Sequence, residues 1–272
     1  MIQSIDRAIR ILNLLQGSRR MSLSEIAGQL ELPPSTVHGI LKTLVVHGMV
    51  GQEAAAGRYR LGPTVLRLGS VFLETLELRA RALAWSEDLA QRTGFAVRAG
   101  VLSLGDVVII HHEPRPDGTR QVPEVGIVIP AHVSALGKAV LAYDRAAADE
   151  MLSRPDALFA MTGETVTDRR TFRRRLRETQ RSGLATEVEE TVLGECSAAA
   201  PIFQSCGEIV GAMGIVVPAS EWPVPPAALD ALRAAARAVS RELGAATWPA
   251  ASGPGLGPAR RTPVVIIRRP LG

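Results

Sequence analysis

Residues 22–44 read SLSEIAGQLELPPSTVHGILKTL and predict two short helices joined by a tight turn. Ser22 and Glu25 have the spacing of a capping box, in which each side chain bonds a free backbone N–H at the other position. Pro33 and Pro34 favour the start of the second helix, where a missing N–H does no harm. Two helices in this order are the arrangement that places one helix in the major groove of DNA.

The second helix of this stretch has one apolar side and one polar side. Four residues follow the spacing of a buried stripe, Val37, Ile40, Leu41 and Leu44. The other side is small, polar and cationic, as expected of a surface that reads base edges and phosphates. Its candidate DNA-binding residues are Ser35, Thr36, His38, Lys42 and Thr43.

Taken alone, residues 22–44 fit an ordinary helical hairpin with a solvated polar side equally well, and the flanking segments favour DNA binding. Residues 4–16 predict a third helix ended by Gly17. Its expected buried stripe is Ile5, Ala8, Ile9, Leu12 and Leu15. Residues 49–50 and 59–61 predict a hairpin around a small-residue turn. Residues 1–62 therefore predict a winged helix-turn-helix, with Arg58 and Arg60 on phosphates.

The charge of the chain is unevenly distributed. Residues 1–62 carry seven Lys/Arg against four Asp/Glu, residues 63–246 carry twenty against twenty-three, and residues 247–272 carry four against none. The N-terminal excess suits a nucleic-acid partner. A length of 272 residues with 46% hydrophobic residues predicts about two domains with a sizeable core.

Cysteine content and hydropathy predict the compartment. The chain has two cysteines, Cys196 and Cys206, and neither a signal peptide nor an apolar run of membrane-spanning length is recognisable. These features predict a reduced, cytoplasmic protein without a membrane partner.

The remaining sequence predicts a connector and a second domain. Residues 63–93 predict one long helix or two joined near residues 78–82, with residues 63–76 as a linker helix. Its apolar residues lie on more than one face, which predicts contact with a second subunit. Residues 77–246 predict an α+β domain with an antiparallel sheet that encloses a small pocket. The tail, residues 247–272, is predicted to be a disordered basic segment or a loosely bound basic arm.

Strands are predicted at residues 95–102, 106–111, 197–203 and 209–217, and helices at residues 134–143, 146–152, 168–182 and 225–245.

Five segments resemble, in order and spacing, the IclR family of bacterial transcription regulators over about residues 1–246. They are SIDRAIRILNLL, LSEIAGQLELPPSTVHGILKTL, GRYRLG, IPAHVSALGKAVLAY and EETVLGECSAAAPIF. The resemblance implies a winged helix-turn-helix, a linker helix and a GAF-like effector domain. It also implies dimers or tetramers on palindromic operator DNA, with no catalysis and no cofactor.

The family pattern also implies site residues. Many members have Arg where this chain has Gly39, so a strong base or phosphate contact is missing. The effector-binding positions that match are Ile129, His132, Ser134, Ala135, Leu136, Glu187, Ser197 and Gly214. Three segments, HGILKTL, ELRARAL and HHEPRPDGTRQVPEVG, resemble family members that regulate glycerol operons in actinomycetes. That likeness implies glycerol or glycerol 3-phosphate as the effector.

An enzyme or redox sensor with an N-terminal interaction module is the alternative function. It would use Cys196 as a thiol nucleophile with His132 as base, but a Cys beside an Ala run is more often a small buried hydrophobe. A metal site at His111 and His112 is disfavoured, because adjacent strand residues point to opposite faces. The sequence therefore predicts a ligand-responsive DNA-binding regulator without a metal.

Overall fold

The computed structural model describes residues 2–18 and 20–248. Its internal contacts divide the chain into two compact units, with the division between Thr75 and Leu76. Most of the predicted tail, residues 249–272, lies outside the described residues. Trp248 is anchored, because its indole N–H donates to the carbonyl oxygen of Pro201 at 3.0 Å.

The first unit is a helix-turn-helix followed by a hairpin and a further helix. In chain order its elements are α1 (Gln3–Ser18), α2 (Leu23–Leu30), α3 (Pro34–Val46), β1 (Val50–Gln52), β2 (Tyr59–Leu61) and α4 (Pro63–Thr75). β1 and β2 pair antiparallel, with Gly51 opposite Arg60. The predicted winged helix-turn-helix is confirmed.

Local interactions set the ends of α2 and α3. The Ser22 hydroxyl accepts the N–H of Glu25 at 3.2 Å, and the Glu25 carboxylate accepts the N–H of Ser22 at 2.7 Å. α2 ends at Glu31, which takes the left-handed conformation with φ of 54°. α3 then begins at Pro34, whose missing N–H costs nothing in the first turn. The turn before the exposed helix is thus fixed by residues within a dozen positions of one another.

The buried face of α1 differs from the predicted stripe. Ile11 and Leu15 are buried, whereas Ile5 and Ile9 are each more than half exposed. Ile11 and Leu15 share a core cluster with residues of α2, α3 and the hairpin, including Ile26, Val37, Leu41 and Tyr59. α1 has two apolar faces, and its packing against the other helices decides which one is buried.

The second unit is a six-stranded antiparallel sheet with five helices in the described part of the chain. Its elements are α5 (Glu77–Thr93), β3 (Ala96–Ser103), β4 (Asp106–Glu113), β5 (Val128–Pro130), α6 (Ala135–Tyr143), α7 (Arg145–Ser153), α8 (Arg169–Ser182), β6 (Ala185–Val188), β7 (Glu195–Phe203), β8 (Ile209–Pro218) and α9 (Pro226–Glu242). The strand order is β5-β4-β3-β8-β7-β6. The predicted α+β class with an antiparallel sheet is confirmed.

The helices of the second unit pack on the sheet in two groups. α5 packs with α9 and contacts β3, β4 and β8. α6 packs with α7 and α8 and contacts β7 and β8. The core cluster of this second group includes Val107, Ile109 and Ala199 from the strands with Leu141 and Phe172 from the helices. α6 therefore lies over β7 and β8 of the sheet.

Some element boundaries in this region differ from the sequence predictions. The helices after residue 62 separate at the extended residue Leu76, where the predicted linker helix, residues 63–76, ends, and not at residues 78–82. The edge strands β5 and β6 were missed, because three and four residues are too few to show an alternating pattern. In residues 2–18 and 20–248, no helix is long and apolar enough to cross a membrane.

Candidate nucleic-acid interface and ligand cleft

The polar side of α3 is open to solvent. Ser35, His38, Lys42 and Thr43 are exposed and Thr36 is half-buried, while Val37 and Leu41 on the opposite side are fully buried. The Thr43 hydroxyl donates to the carbonyl oxygen of Gly39 at 3.2 Å. A Cβ at Gly39 would have no heavy atom within 4 Å, so this position leaves a gap in the exposed surface. The five predicted side chains share one accessible side.

The two arginines of the hairpin have different surroundings. One Arg58 guanidinium nitrogen lies 3.3 Å from a Glu25 carboxylate oxygen, and another lies 3.4 Å from the carbonyl oxygen of Arg20. Arg58 therefore ties the hairpin to the start of α2. Arg60 is exposed on β2, opposite Gly51. Of the two, Arg60 presents the less constrained charge for a phosphate.

The second unit contains a cleft of about 300 Å³, part of which is open to solvent. Seven of the eight predicted effector-binding residues line it: Ile129, Ser134, Ala135, Leu136, Glu187, Ser197 and Gly214. The other lining residues are Arg98, Thr191, Glu195, Ala198, Ala199, Ile215 and Val216.

His132 does not line the cleft. It is buried, its Nε2 lies 2.9 Å from the carbonyl oxygen of Phe159, and its ring meets the Phe159 ring edge-on at 4.8 Å. Burial lowers the pKa of His132. The structure thus gives His132 a packing role beside the loop that precedes α6.

Two close backbone approaches shape the cleft wall. Ser134 caps α6 by accepting the N–H of Gly137 at 3.3 Å. A Cβ at Gly137 would lie 2.2 Å from the carbonyl oxygen of Ala131, so only glycine lets α6 start this close to the preceding loop. A Cβ at Gly214 would lie 2.7 Å from the carbonyl oxygen of Ala198. Gly214 itself lines the cleft, whereas Gly137 sets how closely α6 approaches the preceding loop.

Glu187 and Ser197 face each other on adjacent strands at the cleft. They are register partners of β6 and β7, and the Ser197 hydroxyl donates to the Glu187 carboxylate at 3.1 Å. The other oxygen of Glu187 accepts the N–H of Glu190 at 3.0 Å. Burial raises the pKa of Glu187 to about 7, against the opposing effects of these bonds and of Lys138. The cleft therefore holds a carboxyl group that titrates near neutrality.

Arg98 forms an ion-pair network at one side of the cleft. Its guanidinium donates to Glu195 at 2.8 and 3.1 Å and to both carboxylate oxygens of Glu124. Burial opposes the charge of Arg98, but the bonds to the two carboxylates outweigh burial and raise its pKa. This network was not predicted. Its signal in the sequence is the single arginine, Arg98, inside the otherwise apolar run FAVRAGVL.

Lys138 forms a buried ion pair from the first half of α6. Its side chain is 1% exposed, and its Nζ lies 2.5 Å from a carboxylate oxygen of Glu190. The Nζ also lies 3.4 Å from the carbonyl oxygen of Thr186. Burial lowers the pKa of Lys138 more than Glu190 raises it. This pair was not predicted, although a lysine within the apolar helix ALGKAVLAY was a sequence signal for it.

The structure gives Cys196 and the histidine pair no catalytic arrangement. Cys196 is fully buried, and burial raises the pKa of its thiol, which disfavours the reactive thiolate. Burial lowers the pKa of His111 to about 4, so it is neutral near pH 7. Across the residues that the structure describes, no three His, Cys, Asp or Glu side chains are grouped to hold a metal ion.

The raised pKa of Glu187 predicts a pH dependence of stability. In the unfolded chain Glu187 ionises near its ordinary pKa of 4.5, whereas in the folded protein it ionises near 7. The contribution of Glu187 to the free energy of unfolding is therefore full below pH 4.5 and is lost as the pH rises to about 7. We expect this loss to be on the order of 3 kcal/mol, and Glu187→Gln to remove it.

Urea unfolding at about pH 5 and about pH 8 would measure the effect. Glu164→Gln is the matched control, because Glu164 is exposed in the same unit. The same pH slope in the wild type and in Glu187→Gln would contradict the assignment.

Comparison with known proteins finds relatives of both units. The profile of the IclR helix-turn-helix domain matches residues 4–54, and that of the bacterial transcriptional regulator IclR C-terminal domain matches residues 71–241. The chain is 46% identical over 249 residues to a glycerol operon regulatory protein of Streptomyces coelicolor, which covers 90% of this chain and 97% of that protein.

Two solved structures are similar over most of the chain. An IclR-type transcriptional regulator from a Silicibacter species has a TM-score of 0.75 at 28% identity, covering 90% of this chain and 98% of that chain. An IclR homologue from Microbacterium hydrocarbonoxydans, complexed with 4-hydroxybenzoate, has a TM-score of 0.74 at 26% identity, covering 89% of this chain and 99% of that chain.

Proposed function

The chain belongs to the IclR family of bacterial transcription regulators, and from this premise we propose that it controls a glycerol operon in response to a small ligand. Members of the family are DNA-binding regulators and not enzymes, so the alternative based on Cys196 has no support. The observation that carries the proposal is the pairing of an exposed recognition helix with a separate polar cleft. Its proposed partner is double-stranded operator DNA, and its proposed compartment is the cytoplasm.

DNA recognition is assigned to the exposed side of α3. Ser35, Thr36, His38 and Thr43 can bond base edges or phosphates, and Lys42 supplies the positive charge of this side. Arg58 and Arg60 on the hairpin add phosphate contacts, which give affinity and register but no base identity.

Lys42→Ala is expected to weaken operator binding about tenfold and to lower the salt slope of log K by about one, because one phosphate contact is lost. Filter binding or fluorescence anisotropy over a series of salt concentrations would measure both quantities. Arg10→Ala removes another exposed positive charge, from α1, and serves as the control. Unchanged affinity and slope in Lys42→Ala would show that this side of α3 does not meet DNA.

The ligand is proposed to be glycerol or glycerol 3-phosphate, bound in the cleft. Hydroxyl groups need several convergent donors and acceptors, because a polar group buried without a partner costs about 1–3 kcal/mol. Ser134, Glu187 and Ser197 supply such groups, and Ile129 and Leu136 cover the carbon chain. The backbone N–H groups at the start of α6 favour a phosphate. The name of the Streptomyces relative supports a glycerol-related ligand for this chain.

Calorimetry of the full chain with glycerol, glycerol 3-phosphate and 4-hydroxybenzoate would test the ligand. We expect one of the first two to bind and to change the affinity of the protein for its operator in a gel shift. Ser197→Ala removes one hydroxyl from the cleft and is expected to weaken this binding about tenfold. Binding of 4-hydroxybenzoate alone would refute the glycerol proposal and leave the family assignment intact.

The regulator is proposed to act as a homodimer or homotetramer on a two-fold symmetric operator. No described residue of α4 is buried, although the helix carries Leu66, Leu68, Val71 and Phe72, and Leu66 is 74% exposed. An apolar helix surface of this kind marks a contact with another protein surface. A second copy of the chain would cover it and would set the spacing of the two recognition helices.

A further inference from the structure

The second unit carries a strongly basic helix that no part of the cleft uses. α8 reads RRTFRRRLRETQRS and contains seven arginines and one acidic residue. Its apolar residues face inward, because Phe172 and Leu176 are buried in the core beside α6. Six of its arginines are exposed: Arg169, Arg170, Arg173, Arg174, Arg177 and Arg181. We call these six side chains the arginine face.

The arginine face concentrates positive charge in a segment whose other charged residues are mostly acidic. Residues 63–246 carry twenty Lys/Arg against twenty-three Asp/Glu, so α8 holds about a third of the positive charges of this segment. The positions 170, 173, 174, 177 and 181 recur at three- and four-residue spacing along one side of the helix. At 1.5 Å per residue this stripe is about 16 Å long.

Local acidic groups neutralise only part of the arginine face. Arg173 pairs with Asp149 at 3.4 Å, and Arg174 approaches Glu178 at 3.9 Å. The Arg169 guanidinium donates to two carbonyl oxygens, not to a carboxylate. Within residues 2–18 and 20–248, Arg170, Arg177 and Arg181 have no carboxylate within 4 Å.

We propose that the arginine face of α8 is a second DNA-binding surface, which holds the phosphate backbone of duplex flanking the operator. Duplex DNA carries a phosphate charge for about every 1.7 Å of its axis, so a 16 Å stripe of arginines meets a dense row of partners. Guanidinium groups bond phosphate oxygens through two parallel N–H groups. The proposal rests on DNA binding by α3, which brings flanking duplex to the protein at high effective concentration.

The composition of the arginine face favours DNA over other anionic partners. A protein interface has an apolar centre, whereas the exposed side of α8 has no aliphatic or aromatic side chain. A helix that lies on a membrane inserts its apolar face, but Phe172 and Leu176 are buried inside the unit. A rigid row of charges without apolar groups fits a phosphate backbone.

The test compares two duplexes with the full-length protein. The short duplex contains the footprinted operator alone, about 20 base pairs for two half-sites one turn apart. The long duplex adds about 20 base pairs of unrelated sequence on each side. For the wild type, we expect the slope of log K against log salt concentration to be about two to three units steeper on the long duplex. Each added phosphate contact contributes about 0.9 to this slope.

Two triple variants separate a local contact from a general effect of charge. The first removes three unpaired arginines of α8 and is Arg170→Gln, Arg177→Gln and Arg181→Gln. The control removes three exposed arginines of α5 and α9 and is Arg81→Gln, Arg92→Gln and Arg241→Gln. We expect the α8 variant to lose the extra slope and at least about tenfold in affinity on the long duplex only. The control variant and an Arg→Lys version of the α8 variant should keep the slope.

An α8 variant with the wild-type slope on both duplexes, or a control variant that loses the same slope, would overturn the proposal. Thermal unfolding of each variant verifies that it is folded. Loss of binding to the short duplex reports on α3, so a failure of the proposed regulator function is distinguished from a failure of this inference.

Discussion

Lys138→Met is expected to lower the free energy of unfolding of the second unit by about 3–5 kcal/mol, because it leaves Glu190 buried without a counter-charge. Lys138 and Glu190 are both nearly inaccessible, and their charged atoms lie 2.5 Å apart. The other oxygen of Glu190 accepts the N–H of Val166 at 3.4 Å, a contact too weak to replace the ammonium group.

Tryptophan fluorescence isolates this effect experimentally. The three tryptophans, Trp85, Trp222 and Trp248, all belong to the second unit, so their signal in urea follows that unit alone. The double variant Lys138→Met with Glu190→Gln removes both charges and should recover most of the loss. A stability loss below about 1 kcal/mol for Lys138→Met would show that the pair is not a buried ion pair. All measurements need one protein concentration, because self-association shifts apparent stability.

Gly137→Ala is expected to lower the free energy of unfolding of the second unit by about 3 kcal/mol, which is the upper end of the usual penalty for overpacking. The added Cβ would lie 2.2 Å from the oxygen and 2.4 Å from the Cα of Ala131. Both atoms are backbone, so no side-chain rotation relieves the contact, and α6 must move away from the loop. This movement displaces Ser134, Ala135 and Leu136, which line the cleft. We therefore expect Gly137→Ala to weaken ligand binding as well as stability.

Gly163→Ala is the matched control for this prediction, because a Cβ there has no heavy atom within 4 Å and the residue belongs to the same unit. It should change the free energy of unfolding by less than about 1 kcal/mol. Urea unfolding followed by tryptophan fluorescence measures both variants, and calorimetry with the ligand measures the cleft. Equal stability of the two variants would contradict the close packing of α6.

Gly137 and Lys138 both influence the residues that line the cleft. Gly137 allows α6 to approach the loop that precedes it, and Lys138 in the next position bonds Glu190 beyond β6. Glu190 in turn donates its N–H to Glu187, which lines the cleft. One glycine and one buried lysine therefore connect helix packing to the carboxylate that a ligand would meet.

Local sequence determined much of the first unit. The capping box of Ser22 and Glu25, the turn before Pro34 and the hairpin around Gly57 each depend on residues close together in the chain, and each was predicted. The polar side of α3 followed from helical spacing, because one buried stripe leaves the opposite side exposed. The four central strands of the second unit were also predicted. Each predicted segment has six to nine residues, which is long enough for an alternating or continuous apolar pattern to be recognised.

Only the tertiary structure decided which groups meet. α1 has two apolar faces, and contacts with α2 and α3 bury Ile11 and leave Ile9 exposed. His132 matched the predicted ligand set but bonds Phe159, 27 positions away, while Arg98 reaches Glu195, 97 positions away. No spacing rule relates residues so far apart. Local hydrogen bonds and periodicity determine where helices and strands begin, and packing between distant segments determines the cleft, its charges and its open space.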